Sequence, residues 1–287
     1  MSTHIGIGFS NYPDPVRAAN RAVQKAKEQL GEETPQFGFL WTTPYYQPQE
    51  FLPVISESLS STGIIGCTTA HLFERDRVES IGILLVLFSS PQIKFEISQT
   101  THLPLQDPQE AGKRLVKNFA FSFSQKYRKA MLFFVDGATE NIDLLTRGIS
   151  SALRASLPIV GIGSILSSPR LPSYQYYQKN FLTQSACGVL FNENVQVNIS
   201  QQHGWRPLGK PRCVTSATKN IIHSIDGQKA VDLYQGFFPD LSLAQNPDKI
   251  HYLKLRYPLG IRPSGSGPYI VRNISGILDD GSIVCQD

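Results

Sequence analysis

The sequence predicts a mixed α/β protein in which duplicated β-α-β-β-β units form stacked mixed sheets flanked by helices. Short apolar segments alternate along the chain with amphipathic ones, which indicates strands alternating with helices. Residues 81–88 are apolar at nearly every position, as is typical of strands in sheets covered on both faces. The hydrophobic fraction of 41% in 287 residues is sufficient for a sizeable core.

The first half of the chain opens with a strand over residues 5–9 and then a helix. Asp14 is the predicted N-cap and Pro15 takes the first helical position, while apolar residues recur every three or four positions until Gly31 ends the helix. Residues 93–99 are expected to pair back onto the strand before them across a Ser-Pro-Gln turn. The other predicted elements are strands at 37–42, 64–69 and 81–89 and a helix at 49–59 that contains Pro53.

The second half repeats this order of elements. Asp107 and Glu110 form a capping box that starts a helix running to Phe119. A strand at 131–135, a helix at 142–152 and a strand at 159–165 follow. In the predicted duplication, strands 37–42, 64–67, 81–88 and 93–97 correspond to strands 131–135, 159–162, 187–191 and 195–199.

Composition excludes several classes of protein. The net charge is +4 and the basic residues are scattered, so a nucleic-acid partner is not expected. The longest apolar run, residues 81–88, is much shorter than the roughly 20 residues of a membrane span, and the N-terminus lacks the basic region and apolar core typical of a signal peptide. The four cysteines are widely spaced, which predicts reduced thiols. We therefore expect a cytoplasmic protein.

Two turns at equivalent places in the repeats form the predicted ligand site. Gly66 and Gly161 each end a short buried strand, at points where backbone can approach another group closely. Small polar groups at strand ends suit the carboxylate or amide of a small ligand. The same glycines also fit a purely structural role in packing helix on sheet. The predicted ligand-contacting residues of the two turns are Gly66, Cys67, Thr68, Thr69, Gly161, Gly163 and Ser164.

Enzymatic and metal-binding alternatives have weaker support from the residues. Cys67 is a candidate nucleophile with His71 four residues later as its base, but no second signature of acyl transfer accompanies them. The six histidines lack the spacing of a metal site or of a haem attachment motif. We assign no catalytic residue and no metal ligand, and we predict no cofactor.

Residues 203–234 resemble one family, the FIST domain (F-box and intracellular signal transduction). They are similar to the pattern with which its N-terminal domain closes, G-x-x-P-x-G-x-P-x-x-V-T followed by Asn, Asp-Gly and Ala. Residues 63–70 are similar to its G-C-[ST]-T-A-G turn, except that His71 stands where the family usually has glycine. The matching positions are Gly204, Pro207, Gly209, Pro211, Val214, Thr215, Asn220, Asp226, Gly227 and Ala230.

The resemblance implies a sensory, ligand-binding role with no established reaction, and a small metabolite such as an amino acid as the ligand. Arg206 would then pair with an anionic ligand, since guanidinium suits carboxylates. Some FIST-like sensors are regarded as haem-binding, which makes His203 the candidate for a haem alternative. A ligand-free interaction module is the other alternative, because F-box proteins also carry this domain.

The same resemblance sets the expected domains and partners. Residues 1–245 are expected to form the FIST N-terminal domain and residues 246–287 the truncated start of the C-terminal domain. The chain has no recognisable output motif, so the signal is expected to pass to a separate protein or to the remaining C-terminal FIST domain. We expect residues from about 248 to dock on the first domain or to complete a sheet supplied by another chain, because a hairpin alone cannot bury a face.

Overall fold

The computed structural model divides into two compact units, residues 1–200 (unit 1) and 201–287 (unit 2). The predicted boundary at residue 245 and the tail segment 248–255 lie outside the residues described. The structure describes residues 2–74, 76–122, 124–154, 156–164, 173–192, 194–200, 202–237, 256–262 and 269–285.

Unit 1 alternates strands and helices in the predicted order. Its helices are α1 (Pro15–Leu30), α2 (Pro48–Ser58), α3 (Pro108–Lys117) and α4 (Ile142–Leu153). Its first strands are β1 (His4–Ser10), β2 (Phe37–Thr42), β3 (Gly63–Thr68), β4 (Leu72–Glu74), β5 (Arg77–Glu79) and β6 (Ile83–Ser89). Its later strands are β7 (Phe95–Thr100), β8 (Arg128–Val135), β9 (Ile159–Gly163), β10 (Gln175–Tyr177), β11 (Asn180–Leu182) and β12 (Ala186–Asn192).

These strands form two large mixed sheets and one separate hairpin. Sheet 1 has the order β1-β6-β2-β3-β10-β11, and sheet 2 has the order β7-β12-β8-β9. The short strands β4 and β5 pair with each other in a two-stranded sheet of their own. The mixed α/β class predicted from the sequence is therefore confirmed.

The duplication is present and is more complete than predicted. In each half the first strand pairs antiparallel with the last, the last pairs antiparallel with the second, and the second pairs parallel with the third. A short hairpin precedes the last strand of each half. The first repeat is therefore β1-α1-β2-α2-β3-(β4-β5)-β6, and the second is β7-α3-β8-α4-β9-(β10-β11)-β12.

Two predicted strand assignments are wrong. Both errors arise because each repeat begins one strand earlier than predicted, at β1 and at β7. Residues 93–99 do contain a strand, β7, but it does not fold back onto β6. It crosses to sheet 2 and pairs with β12, because it opens the second repeat as β1 opens the first. The predicted strand over residues 195–199 is irregular. The strand predicted to end at Ile165 is described only as far as Gly163 and Ser164.

Unit 1 is built in four layers. Alternate residues of sheet 1 face α1 and α2, with Leu40 and Leu85 in that outer core. Sheet 2 packs in the same way on α3 and α4, with Phe133 in the core between them. The inner faces of both sheets share an aromatic core that includes Phe37 and Phe134. This alternation follows from the two-residue period of a strand, which sends successive side chains to opposite faces.

Local sequence signals fix the helices of this unit. Asp14 accepts a hydrogen bond from the Arg17 backbone N–H at 2.7 Å, and Asp107 accepts one from the Glu110 N–H at 2.9 Å. Both carboxylates thus satisfy amides that a helix N-terminus leaves unpaired. Helix α1 then lies so close to β1 that a Cβ at Gly8 would be 1.8 Å from the Ala22 carbonyl oxygen.

Unit 2 contains a small sheet with its own core. Its elements are β13 (Val214–Thr218), β14 (Ile221–Ile225), β15 (Gln228–Lys229), α5 (Asp232–Phe237), β16 (Leu259–Ile261), β17 (Ile270–Arg272), β18 (Ile274–Ile277) and β19 (Ile283–Cys285). The sheet order is β13-β14-β19-β18, with β15 paired to β14, and Ile222 and Ile283 are buried in the core beside Tyr234. The described tail strands β18 and β19 therefore complete a sheet with β14 of the same chain.

We expect Gly8→Ala to destabilise the protein by about 3 kcal/mol, because the added methyl group would force α1 away from β1. Gly163→Ala is the matched control, since the nearest atom to its added Cβ would be 3.9 Å away. Urea unfolding followed by circular dichroism measures both variants. Equal unfolding midpoints for Gly8→Ala and Gly163→Ala would contradict the close packing of α1 on β1.

Candidate functional site

The two predicted ligand-binding turns lie at the carboxyl ends of parallel strands. Thr68 ends β3, and Thr69 follows it beside the end of β2, where its N–H donates to the Thr42 carbonyl at 2.8 Å. Gly163 ends β9, and the Ser164 N–H donates to the Val135 carbonyl at 2.9 Å. In open α/β sheets this is the edge at which ligands usually bind.

Gln175 connects the two turns across the sheets. Its backbone lies opposite Cys67 where β10 pairs with β3, while its side-chain amide donates to Ser164 Oγ at 2.9 Å and to Ser173 Oγ at 3.1 Å. Its side-chain oxygen accepts from the Ser185 hydroxyl at 2.7 Å. These contacts bring the ends of β3 and β9, at Thr68 and Ser164, to one end of unit 1. Gly66 and Gly161 lie within β3 and β9, so the prediction that each of them ends a strand is wrong.

The polar side chains around Gln175 form a buried network, which we call the polar cluster. It comprises Ser164, Ser173, Gln175 and Ser185, all almost fully buried. Ser164 Oγ also accepts from the Gly137 N–H at 3.1 Å and hydrogen bonds to Ser173 Oγ. Hydrogen bonds offset the cost of burying such groups. The cluster thus joins strands of both repeats through polar contacts.

Asp136 adjoins the polar cluster and was not predicted from the sequence. Its carboxylate accepts from the Gln184 N–H at 2.9 Å and from the Ala138 N–H at 3.0 Å, and it is nearly buried. Thr43 holds the equivalent place in the first repeat, where its hydroxyl accepts from the Gly82 N–H at 3.0 Å. An alignment of the two repeats in the sequence would have identified Thr43 and Asp136 as equivalent residues.

Thr68 and Cys67 are buried on the first-repeat side of this edge. Thr68 Oγ1 accepts from the Tyr174 N–H at 3.1 Å. A second buried hydroxyl pair lies nearby, in which Thr42 Oγ1 and the Tyr176 hydroxyl are 2.6 Å apart. Burial raises the pKa of the Tyr176 phenol far above its ordinary value. These hydroxyls are thus neutral groups engaged in internal hydrogen bonds.

The three glycines of the predicted site have different surroundings. A Cβ at Gly66 would lie 1.7 Å from the Leu40 carbonyl oxygen, and one at Gly161 would lie 2.5 Å from the Phe133 ring. Gly66 is therefore required for packing, because the backbone of Leu40 occupies that space, whereas a side chain at Gly161 would have to displace the Phe133 ring. Gly163 is exposed, and only the Gly137 Cα lies within 4 Å of the same point there. Gly163 is therefore the glycine that presents open backbone at this edge.

Cys67 has an environment that suppresses nucleophilic chemistry. Its side chain is buried in the core between the sheets. Burial raises the pKa of the Cys67 thiol from 9.0 to about 12, so the reactive thiolate is scarce at neutral pH. His71, the proposed base, hydrogen bonds to the Ser80 hydroxyl at 3.3 Å. The arrangement does not support Cys67 as a nucleophile activated by His71.

Arg206 and His203 belong to unit 2, whereas the other predicted site residues belong to unit 1. Both side chains are exposed, and His203 Nε2 is 3.0 Å from the Tyr269 carbonyl oxygen. A haem ligand would have to give up that contact. Across the described residues, no three His, Cys, Asp or Glu side chains are grouped to hold a metal ion.

Several residues of segment 203–234, which resembles the FIST pattern, have structural roles in unit 2. Asp226 and Gly227 both have positive φ, as the tight turn from β14 into β15 requires. The Asp226 carboxylate accepts from the Cys213 N–H at 2.8 Å and from Arg212 at 3.2 Å, which lowers its pKa. Asn220 donates to the Cys285 carbonyl at 2.9 Å and thereby ties β19 to the sheet. These residues therefore stabilise unit 2.

A basic groove in unit 1 was not predicted from the sequence. It has a volume of about 1030 Å³ and lies at the starts of β8 and β9, at the opposite strand ends from the polar cluster. Arg128 lies over the Phe121 ring at 4.1 Å, and burial lowers its pKa although Glu96 opposes this effect. The lining residues are Gln125, Lys126, Arg128, Lys129, Ser156, Leu157, Pro158, Asn194, Val195, Gln196 and Val197.

A smaller cavity of about 490 Å³ lies between α2 and the β10-β11 hairpin, lined in part by Leu52 and Phe181. Neither this cavity nor the basic groove is lined by a residue of the two predicted turns. The side chains of the polar cluster are almost fully buried, so the cluster is closed in this conformation.

Comparison with known proteins gives the family. The model of the FIST N domain matches residues 36–228, about two thirds of the chain. The chain belongs to the FIST family. The match includes most of both repeats and continues into unit 2 as far as the Asp-Gly turn. As a FIST domain, the protein has the character of a sensory domain of signal transduction.

Full-length similarity extends to proteins without an assigned function. Uncharacterized proteins from two strains of Mycobacterium tuberculosis, CDC 1551 and H37Rv, are each 24% identical to this chain over 285 residues. Each alignment covers 95% of the FIST chain and 70% of the relative. The FIST chain thus has relatives along nearly its whole length.

Two solved structures of cyanuric acid hydrolases show a distant resemblance. The enzyme from A. caulinodans has a TM-score of 0.33 and 9% identity, covering 66% of the FIST chain and 71% of the enzyme. A second cyanuric acid hydrolase has a TM-score of 0.31 and 8% identity, covering 67% of the FIST chain and 68% of the enzyme.

In the described part of the FIST chain, no helix combines the length and apolar character needed to cross a membrane.

We expect iodoacetamide at about pH 8 to modify native protein at Cys213 alone, because this is the exposed thiol and the other three are buried. Mass spectrometry of peptides identifies the labelled sites, and unfolding in guanidinium should expose all four. Cys213→Ser is the control and should abolish labelling of the native protein. Labelling of native Cys67 as fast as Cys213 would restore the nucleophile interpretation.

Stability should fall above about pH 9, because the Cys67 thiol ionises at its ordinary pKa of 9.0 in the unfolded chain but only at about 12 in the folded protein. The neutral thiol therefore favours folding fully below pH 9, and this contribution is lost as the pH rises through 12. Urea unfolding between pH 7 and 10.5, roughly spanning the onset of that window, measures the effect. Cys67→Ala should make the decline shallower but not abolish it, because burial also raises the pKa of Cys187. An unchanged pH profile would contradict the shift at Cys67.

Proposed function

We propose that this FIST chain is a sensory domain that binds an amino acid or a similar small metabolite at the carboxyl edge of β3 and β9. The single observation that carries the proposal is the polar cluster, in which Gln175 and Ser164 connect the two repeats at this edge. Thr69 and the open backbone at Gly163 offer additional contacts beside it. An amino acid presents the donors and acceptors that such groups bind.

Sensing at this edge requires a ligand to favour one arrangement of the cluster over another. Ser164, Ser173 and Ser185 all hydrogen bond to the Gln175 side chain, so a ligand that binds one of them must displace an internal partner. That exchange would alter the contact between Gln175 of β10 and Ser164, the residue that follows β9. A ligand shifts a conformational equilibrium by its difference in affinity for the two states.

We further propose that the output passes to a separate signalling protein or to a C-terminal FIST domain, and that the protein acts in the cytoplasm. Four free thiols, one of them exposed, support a reducing compartment. Arg206 remains a candidate for an anionic ligand group, because its side chain is exposed and guanidinium pairs well with carboxylates.

A second place for the carboxylate of such a ligand is the basic groove. Lys126, Arg128 and Lys129 line it, and the Arg128 Nε is buried with no hydrogen-bond partner among the described residues. A buried unpaired donor of this kind is costly and would be satisfied by an anion. The groove therefore competes with the polar cluster as the location of the same function.

We expect one member of a panel of amino acids and organic acids to raise stability by about 2.7 kcal/mol at a hundredfold excess over its Kd. Native mass spectrometry of protein purified without denaturation should show the retained ligand. A flat response across the panel, together with no retained ligand, would contradict ligand sensing and favour the interaction-module alternative. A Soret band in purified protein would instead favour haem bound near His203.

The two candidate locations are separated by variants. Ser164→Ala should weaken binding about tenfold, since it removes a hydrogen-bonding group from the polar cluster. Ser150→Ala, an exposed serine on α4, is the matched control and should leave the Kd unchanged. If Lys126→Gln with Lys129→Gln weakens binding while Ser164→Ala does not, the ligand binds in the basic groove and the polar-cluster site is wrong.

A further inference from the structure

The two repeats use their short hairpins differently. The second hairpin, β10-β11, adds to the edge of sheet 1, where Tyr176 lies opposite Gly66 of β3. Sheet 1 thereby reaches six strands, two of them supplied by the other repeat. The first hairpin, β4-β5, pairs with no strand other than its own two within the described residues. One hairpin is thus docked and its counterpart is not.

The hairpins can be aligned position by position. Tyr177 pairs with Asn180 beside the turn of the second hairpin, and Glu74 pairs with Arg77 beside the turn of the first. Two residues separate the paired strands in each case. Counting back from these pairs makes Phe73 equivalent to Tyr176. On the other strand, Val78 is equivalent to Phe181.

Two pairs of equivalent side chains have opposite environments, while Leu72 is buried like its equivalent Gln175. Tyr176 is fully buried against α2, with its ring centroid 6.0 Å from that of Phe51, and Phe181 packs on the same core. Phe73 is 71% exposed and Val78 is 58% exposed. A phenylalanine and a valine on an undocked hairpin form an apolar surface of the kind that marks interaction sites.

Within the described residues, the strand of the second repeat that corresponds to β3 also has an unpaired edge. Strand β9 pairs with β8 on one side, and no described strand pairs on its other side. Gly161 of β9 is exposed and occupies the place of Gly66, since Phe133 and Leu40 lie opposite them in the parallel partners. Sheet 2 consequently has four strands where sheet 1 has six. An open edge of this kind is a template for pairing with another chain.

We propose that a second copy of this chain docks its β4-β5 hairpin on β9. The register follows from the docked hairpin: Phe73 of one copy lies opposite Gly161 of the other, with Leu72 opposite Ile162 and Glu74 opposite Val160. Sheet 2 then gains the same two strands that sheet 1 already has. A second copy is the occupant because each copy carries both the undocked hairpin and the open edge.

The contact within one chain indicates why the contact between copies is favourable. The β10-β3 pairing sets the fully buried Tyr176 opposite Gly66 and satisfies the backbone groups of a sheet edge. Phe73 and Gly161 repeat that pair of residue types. Because each copy offers one hairpin and one edge, reciprocal docking gives a closed dimer, whereas one-way docking gives a head-to-tail chain.

Association is tested by light scattering after size exclusion and by sedimentation velocity, up to about 100 µM. We expect wild-type protein to reach at least twice the chain mass of 31.9 kDa. Phe73→Ser should weaken association at least tenfold. The control is Leu105→Ser, which removes another exposed apolar side chain, 84% exposed, away from the hairpin.

Three results would overturn the proposal. These are a wild-type monomer throughout the concentration range, equal association of Phe73→Ser and Leu105→Ser, and a monomer that gains mass only when a C-terminal FIST domain is added. Circular dichroism of Phe73→Ser establishes that the variant is folded. Thermal stability equal to that of Leu105→Ser then assigns any loss of association to the contact itself.

The register is tested by disulfide formation between two single variants mixed in a Cys213→Ser background. Glu74→Cys and Val160→Cys should form a mixed disulfide on mild oxidation, because directly opposed residues of paired strands have neighbouring Cβ atoms. Lys129→Cys, an exposed position on β8, replaces Val160→Cys in the control and should not cross-link. Equal yields in the two mixtures would overturn the proposed register.

Discussion

The pairing of β10 with β3 is the contact on which the architecture of unit 1 depends. It adds a hairpin of the second repeat to the edge of the first repeat's sheet. The first repeat therefore supplies only four of the six strands of sheet 1. The same three residues of β10 perform different tasks. Gln175 enters the polar cluster, Tyr176 packs beneath α2, and Tyr177 faces the core between the sheets. One short strand thus links the outer core, the inner core and the candidate site.

At the candidate edge the two repeats share backbone contacts but differ in their polar side chains. Thr43 and Asp136 make the same backbone contact to the residue before the last strand, at 3.0 Å in both repeats, but one is a hydroxyl and the other a carboxylate. Ser164 belongs to the second repeat and Gln175 reaches it from a strand added to the first. The edge is therefore asymmetric, and its polar groups converge on one place rather than two.

Local signals predicted the helices and strands well, and long-range pairing was the part they missed. Asp14 and Asp107 define helix starts through contacts three residues away, which a sequence displays directly. The Ser-Pro-Gln turn before β7 indicates a change of direction but not which sheet receives the strand. The hairpins at β4-β5 and β10-β11 have three-residue strands, too short for a period to emerge. Gln175 belongs to no motif, so its central place was visible only in three dimensions.

Assembly through β9 and ligand binding at the polar cluster would be coupled by their position. The proposed register puts Leu72 of a second copy opposite Ile162 of β9. Ser164 lies only two residues further on, just after the end of this strand. A hairpin docked there restricts the backbone at Gly163, which is the open part of the candidate site. If a ligand favours one arrangement of that backbone, it changes the affinity between copies, and assembly changes the affinity for the ligand by the same factor. A sensory domain coupled in this way would transmit a signal as a change in association.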